Sequence, residues 1–291
     1  MNDNNLALGF IGLGEMGGRM APRLVDAGYA LSVYDAAGTE ARAPDGATIC
    51  NSLADLVRAC EIVLLSLPDG RVVEAVVGEI AAVDGRSVTA VVDHSTIGTE
   101  AARQAHAILA EAGIAYLDAP VSGGTSGAAK GTLAMMIAGD RALYDRLDPA
   151  LAEMAKNRFL VGSEPGQGQV MKLLNNMLSG TAMTATTEAV VFGEAHGLDL
   201  TTMIDVINVA TGRNTASSDK YPNRIIPGSF DAGFTIDLLS KDLDLFLAEA
   251  DKAATGDRVG HAVGETLRAM KQAMPGADFT RIYQFQKSGK D

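Results

Sequence analysis

The sequence predicts an α/β fold in its first half and an all-α fold in its second, joined by one long interdomain helix. Three observations predict this. Short apolar runs alternate with amphipathic segments from Leu6 to Val161, a single helical pattern spans about Gln169 to His196, and only helical periodicity follows. Short apolar strands flanked by helices imply a parallel sheet covered on both faces. The expected division is an α/β domain over 1–165 and a helical domain over 166–291, with 166–196 as the helix between them.

Taken in order, Leu6 to Ile11 reads as a strand, Met16 to Ala27 as a helix ended by Gly28, and Leu31 to Tyr34 as a strand closing on Asp35. The alternation continues with helix Leu53 to Ala59, strand Ile62 to Leu67, helix Val72 to Val77, strand Val88 to Val92, helix Glu100 to Ala112 and strand Ala115 to Leu117. Leu133 to Ala138 and Phe159 to Val161 add strands around helix Ala142 to Met154. The helix from Gln169 is about 42 Å long at 1.5 Å per residue, enough to bridge two domains. Helices follow at Thr201 to Thr211, Asp237 to Ala254 and Val259 to Ala273. Asp199 or Thr201 caps the first, Asp257 caps the last, and Pro275 with Gly276 ends it. Thr211 to Pro227 reads as a long polar loop, a kind that is usually functional or disordered.

Composition removes several function classes. With 24 Lys plus Arg against 36 Asp plus Glu, the net charge of −12 argues against a nucleic-acid partner, which needs clustered cations. The two cysteines, Cys50 and Cys60, make neither a disulfide framework nor a metal-ligand pattern, so no metal is expected and a reducing, cytoplasmic compartment is. The opening MNDNN lacks a secretory pattern, and the uncharged stretch Leu173 to Thr187 falls short of a membrane span. Glycine is the unusual count, 32 residues clustered in GFIGLGEMGG, SGGTSGAAKG and GSEPGQGQ. Such clusters mark backbone that turns tightly or approaches a ligand.

The first cluster places Gly12, Gly14 and Gly17 as GxGxxG between the first strand and first helix. In that context the first glycine permits the turn, the second lets a pyrophosphate approach, and the third lets helix and strand pack closely. Leu13 and Met16 belong to the same cofactor-binding turn. Asp35, at the end of the second strand, suits the adenosine ribose hydroxyls and repels a 2′-phosphate, and Ala36, Ala37 and Gly38 bring no positive charge. NAD is therefore expected over NADP. A packing-driven glycine turn and a turn aspartate are the plainer alternatives.

With GFIGLGEMGGRMA come DAPVSGGTSGAAKGTL at Asp118 to Leu133, GQGQVMKLLNN at Gly166 to Asn176 and KDLDL at Lys241 to Leu245. Together, over nearly the whole chain and in the same order, these resemble the β-hydroxyacid dehydrogenase family, which includes 3-hydroxyisobutyrate dehydrogenases and tartronate semialdehyde reductases. The resemblance implies a Rossmann domain, an interdomain helix, a helical domain and reversible NAD(P)-dependent oxidation of a short β-hydroxyacid. It also implies that Ser122, Gly123 and Gly124 cradle the substrate carboxylate, that Leu67, Pro68, Ser95 and Thr96 line the nicotinamide half of the cofactor, and that Lys241 reaches substrate and nicotinamide. Phe234 is a candidate cleft wall on the cofactor side, though a core Phe is an equal reading. Taken alone, the glycine loop and the lysines read as a surface loop and solvated charges; Asp237, at i−4, is an alternative partner for Lys241.

Lys172 is the expected catalytic residue, with Asn175 and Asn176 beside it on the helix as substrate-binding groups. Oxidation needs a base for the hydroxyl proton as hydride leaves the carbinol carbon, and reduction needs an acid for the alkoxide; one lysine serves both. Its reference pKa is far above neutrality, so burial or a neighbouring cation is expected to assist it. Asn176 holds substrate without adding charge. DHSTIGTE departs from the family pattern, which has Pro in place of Gly98 or Thr99, and leaves the loop shape open. His94 reads as structural. Arg213 has two readings, a partner for a second acidic group or a surface charge. A small anionic hydroxyacid or semialdehyde is the expected substrate, with a homodimer or homotetramer implied by resemblance and no membrane partner. An imine or other carbonyl-type reductase and a non-catalytic NAD-binding relative are the competing readings.

Overall fold

Strand β1 (Leu8–Ile11) lies third from one edge of the sheet in the computed structural model, which describes residues 6–289. Its neighbours are β2 (Leu31–Tyr34) on one side and β4 (Ile62–Leu65) on the other, both parallel. Beyond them lie β3 (Thr48–Ile49), a short edge strand with no sequence signal of its own, and then β5 (Ala90–Asp93) and β6 (Ala115–Asp118). The order β3-β2-β1-β4-β5-β6 reverses direction beside β1, and that reversal opens a crevice at the carboxyl ends of β1 and β4.

The alternation predicts a parallel sheet throughout, and the far edge departs from it. Strands β7 (Val121–Ser122) and β6 pair antiparallel with β8 (Ala134–Ala138), while β9 (Asn157–Gly162) pairs with β8 in parallel. Only Gly123 to Leu133 separates β7 from β8, less than the dozen or so residues a parallel crossover requires. Within that stretch the expected loop is instead a short helix, α5 (Gly124–Lys130).

Alternation along the strands divides the apolar residues between two cores. Phe10 and Leu64 face one side with Met20 and Leu24 of α1 (Gly17–Asp26). Ile11, Val63 and Leu65 face the other, against α2 (Leu53–Ala59), α3 (Gly70–Ala82) and α4 (Thr99–Glu111). Helix α6 (Arg141–Met154) completes the first layer, its N-terminus capped by the Asp140 carboxylate.

The chain divides into two compact units, one ending at Lys172 and the other beginning at Leu173. Helix α7 (Gln167–Ala195) continues from the first into the second. The second unit is all-helical, with α8 (Leu200–Val209), α9 (Ile236–Lys252), α10 (Arg258–Ala273) and α11 (Ile282–Lys287) around Met183, Leu239, Leu243, Leu267 and Phe285. Asp199 caps α8, whereas Asp257 makes no side-chain cap on α10 and pairs with His261 at 3.2 Å.

The polar loop expected at Thr211 to Pro227 is largely a π-helix over Ala216–Ile225. Asn214 starts it by accepting the Ala216 and Ser217 N–H groups, and the fully buried Tyr221 fastens it through a 3.0 Å hydrogen bond to Thr187 on α7. Its inward residues, Ala216, Ser217, Tyr221 and Ile225, include two small ones and stand among polar and charged neighbours, so the segment shows no apolar stripe to read as a helix. Among the described residues no helix is long and apolar enough to cross a membrane, and no group of His, Cys, Asp and Glu is arranged to hold a metal ion.

Candidate active site

The turn after β1 is built from glycines, two of which nothing larger could replace. A Cβ on Gly12, at φ +93°, would lie 2.3 Å from the Ser66 carbonyl oxygen, and one on Gly17 would lie 1.9 Å from the Gly12 oxygen. Gly14 differs, being exposed with nothing within 4 Å of its Cβ position. The open side belongs to a cleft of about 540 Å³ lined by Leu13, Gly14, Glu15, Gly18, Arg19 and Arg42. A bare backbone beside a helix N-terminus is the arrangement a dinucleotide pyrophosphate requires, so these residues fit the cofactor the motif implies. Met16 takes the N-cap position of α1.

Asp35, buried at the end of β2, is held over this turn. One carboxylate oxygen accepts the Leu13 N–H at 2.7 Å and the other accepts the Ala37 N–H at 2.8 Å. A carboxylate has about four acceptor sites, so capacity remains for ribose hydroxyls. Arg42, which no sequence motif singles out, lies 3.4 Å from Asp35 Oδ2. The Thr39 turn brings it back: Thr39 Oγ1 accepts the Asp35 N–H, and Thr39 O accepts the Arg42 N–H.

The next segments along the sheet edge are tied to one another. Ser95 Oγ accepts the Leu67 N–H at 2.8 Å, joining the segments after β4 and β5, while Asp69 caps α3. Pro68 is exposed and Thr96 is half-buried between buried neighbours. Gly98 adopts φ +84°, outside the range of proline, whereas Thr99 takes the first position of α4, where proline is tolerated. Behind this loop Asp93 and Asp118 are register partners on adjacent strands, both fully buried. Burial raises Asp93 to about 6 and Asp118 to about 7, against hydrogen bonds that favour their ionised forms. His94 bonds the Ala119 carbonyl, and burial lowers it to about 4, so it is neutral and no acid at physiological pH.

Ser122 ends β7, and Gly123 and Gly124 take φ of +133° and +63° to enter α5. Their backbone thus opens a helix whose first N–H groups have no intrahelical acceptor. On α7, Lys172 is 7% exposed and Asn176, one turn on, 6% exposed, so Lys172 is not the solvated charge of the plainer reading. Asn175 donates to Asn176 Oδ1 at 3.1 Å. Asn176 Nδ2 in turn donates to Asp242 Oδ2 at 2.6 Å, which fixes the amide. Asp242, a buried residue of α9, also lies 3.5 Å from Lys241 Nζ. Asp237 accepts the Gly276 N–H and lies 3.6 Å from Lys271. Asp242 stands inside KDLDL, yet an acid next to the candidate lysine carries no signal of burial. Phe234 packs edge-on against Phe279 in the helical core, and Arg213 is exposed.

Residues 7–162 match the family model of the NAD-binding domain of 6-phosphogluconate dehydrogenase. Residues 166–286 match that described as NAD-binding of NADP-dependent 3-hydroxyisobutyrate dehydrogenase. Among curated relatives, 2-(hydroxymethyl)glutarate dehydrogenase of Eubacterium barkeri is 36% identical, over 86% of this chain and 84% of its own. NAD-dependent L-serine dehydrogenase of Pseudomonas aeruginosa is 35% identical, over 94% and 96%. The solved structure of Mycobacterium tuberculosis 3-hydroxyisobutyrate dehydrogenase with L-serine is 32% identical with a TM-score of 0.90, over 97% of this chain and 99% of that one. The chain therefore belongs to the β-hydroxyacid dehydrogenase family and is a NAD-binding oxidoreductase that acts on CH–OH groups.

Proposed function

We propose that the enzyme reversibly oxidises the primary alcohol of a short 2-substituted 3-hydroxycarboxylate, with Lys172 as general base in oxidation and general acid in reduction. The compounds named for the relatives, 2-(hydroxymethyl)glutarate, L-serine and 3-hydroxyisobutyrate, share the skeleton HOCH₂–CHR–COO⁻ and differ only in R. The observation that carries the reading is the buried Lys172 one helical turn from a buried Asn176 whose amide is fixed by Asp242. Lysines are rarely so enclosed without a task.

The glycine turn and Asp35 would hold the cofactor, which would supply the hydride acceptor for the carbinol carbon. Lys172 takes the hydroxyl proton as the carbonyl forms and returns it in the opposite direction. Asn176 hydrogen-bonds the reacting substrate, Ser122, Gly123 and Gly124 hold its carboxylate, and Lys241 supplies positive charge for the anion. Asp35 holds the adenosine ribose and favours NAD. The division of labour follows as residues 1–165 for cofactor and 166–291 for substrate and subunit contacts, with the protein working as a homodimer or homotetramer in the cytoplasm.

A panel of 3-hydroxyisobutyrate, L-serine, 2-(hydroxymethyl)glutarate and threonate with NAD and NADP, scored by kcat/KM, tests the substrate class. Members with a terminal HOCH₂ next to CHR–COO⁻ should lead by at least about tenfold, the equivalent of about 1.4 kcal/mol. Preference for a secondary alcohol, or for imines, would refute it.

A further inference from the structure

Gln169 is fully buried, and every polar atom of its side chain is engaged. Its Nε2 donates to Asp118 Oδ1 at 2.6 Å and to the Ser95 carbonyl at 3.0 Å. Its Oε1 accepts the N–H groups of Ile97 at 2.8 Å and Gly98 at 3.1 Å. Its backbone N–H, in the first turn of α7, donates to Asp118 Oδ2 at 3.0 Å. One carboxylate from β6 thus caps the helix that carries Lys172, and one amide fastens that helix turn to the loop after β5. The fit leaves no slack: a Cβ on Gly168 would lie 2.6 Å from the Met136 carbonyl and 2.9 Å from Asp118 Oδ2. The glycine at 98 also finds a reason here, because proline would remove the N–H that Gln169 accepts.

We propose that Gln169 is a positioning residue, a clamp that fixes the Ser95–Gly98 loop against the first turn of α7 and so sets the place of Lys172, three residues on. Nothing in the reaction needs Gln169 to touch substrate. The proposal rests on the reading of Lys172 as acid and base, and on the Ser95–Thr96 segment facing the nicotinamide. A small error in such a placement is costly, since misplacement by about 1 Å can lower a rate about 10²-fold.

The donor and acceptor pattern supplies a test that simple loss of stability cannot imitate. In Gln169→Glu the new carboxylate faces two acceptors, Asp118 Oδ1 and the Ser95 carbonyl, and needs a shared proton. The groups around that proton are Asp118 and Asp93, the Tyr116 hydroxyl that donates to Asp93, and the neutral His94. Asp118→Asn alone sets its amide N–H₂ against Gln169 Nε2. In the double variant the amide introduced at position 118 donates to the carboxylate introduced at position 169 and still accepts the backbone N–H of the latter, so the contact with position 118 is repaired while the carboxylate still faces the Ser95 carbonyl.

The experiment compares Gln169→Ala, Gln169→Glu, Asp118→Asn and the double variant as full-length, NAD-saturated enzyme, by kcat and KM on 3-hydroxyisobutyrate or L-serine and by amide hydrogen exchange at Ile97 and Gly98. We expect Gln169→Ala to lose about 10² in kcat with KM little changed and to lose protection at both amides. Gln169→Glu should regain kcat as pH falls, and the double variant should exceed Gln169→Glu in kcat at neutral pH. Unchanged protection in Gln169→Ala, or a double variant no better than Gln169→Glu, would overturn the clamp. If the wild-type enzyme oxidises no panel member, the functional reading fails, and the exchange data still decide the clamp.

Discussion

Asp35 and Arg42 illustrate how much one neighbour changes the meaning of a residue. Asp35 is readable from its place at the end of a strand about twenty residues past the glycine turn. Its partner is not, because Arg42 returns only through the Thr39 turn, a local hydrogen-bonded detour with no periodicity. The carboxylate still opposes a 2′-phosphate, but a cation already stands 3.4 Å away on the wall of the same cleft. Asp35→Asn should therefore raise the NADP-to-NAD ratio of kcat/KM by about 10- to 100-fold, the range of one or two charge-assisted hydrogen bonds. Adding Arg42→Ala should remove most of that gain. A ratio indifferent to Arg42 would place the 2′-phosphate elsewhere.

At the scale of elements, the three glycines of the first turn separate into structural and functional roles. Gly17→Ala drives a methyl into the Gly12 carbonyl and should lower both Tm and NAD affinity, because α1 cannot then lie close to β1. Gly14→Ala meets only open space, so stability should stay within about 0.5 kcal/mol of wild type, as for a surface change. Its methyl fills the room a pyrophosphate needs, and NAD affinity measured by titration should fall at least about tenfold. Equal losses of Tm in the two variants would contradict the distinction. The central strands are legible in the sequence as short uninterrupted apolar runs, and the long helices by their length and the residues that bound them. The β7–α5–β8 return and the π-helix at Ala216–Ile225 are not, since the first is set by connection length and the second by Asn214 and Tyr221 contacts.

Across the whole molecule, the candidate site is legible where it lies in motifs, as with Lys172, Asn176 and the glycine turn. It is opaque where it depends on strand register. Asp93 and Asp118 become neighbours only when β5 and β6 pair, and Gln169 joins them only when α7 starts at that sheet edge. Both carboxylates sit above their ordinary value of 3.8, at about 6 and about 7, because burial disfavours charge. Between those values and 3.8 the folded chain binds more protons than the unfolded one, so each carboxylate makes stability fall as pH rises. His94, lowered to about 4, acts in the opposite sense up to its ordinary 6.5 and offsets one of them. Asp118→Asn removes one proton-binding group. Relative to wild type its unfolding free energy should thus climb between about pH 4 and pH 7, by of order 1 kcal/mol per unit, and level off above. Urea unfolding of both proteins across that range checks the slope, and a constant difference would mean Asp118 is ionised when folded.

Proton transfer by Lys172 is the central claim, and one comparison tests it most directly. Wild type and Lys172→Ala are assayed for NADH formation from 3-hydroxyisobutyrate and L-serine between about pH 7 and pH 10, with NAD affinity measured in parallel. Wild-type oxidation should rise toward alkaline pH, and the variant should bind NAD normally while its kcat falls about 10²- to 10⁴-fold and loses that pH dependence. A variant that oxidises either substrate at the wild-type rate would contradict the assignment.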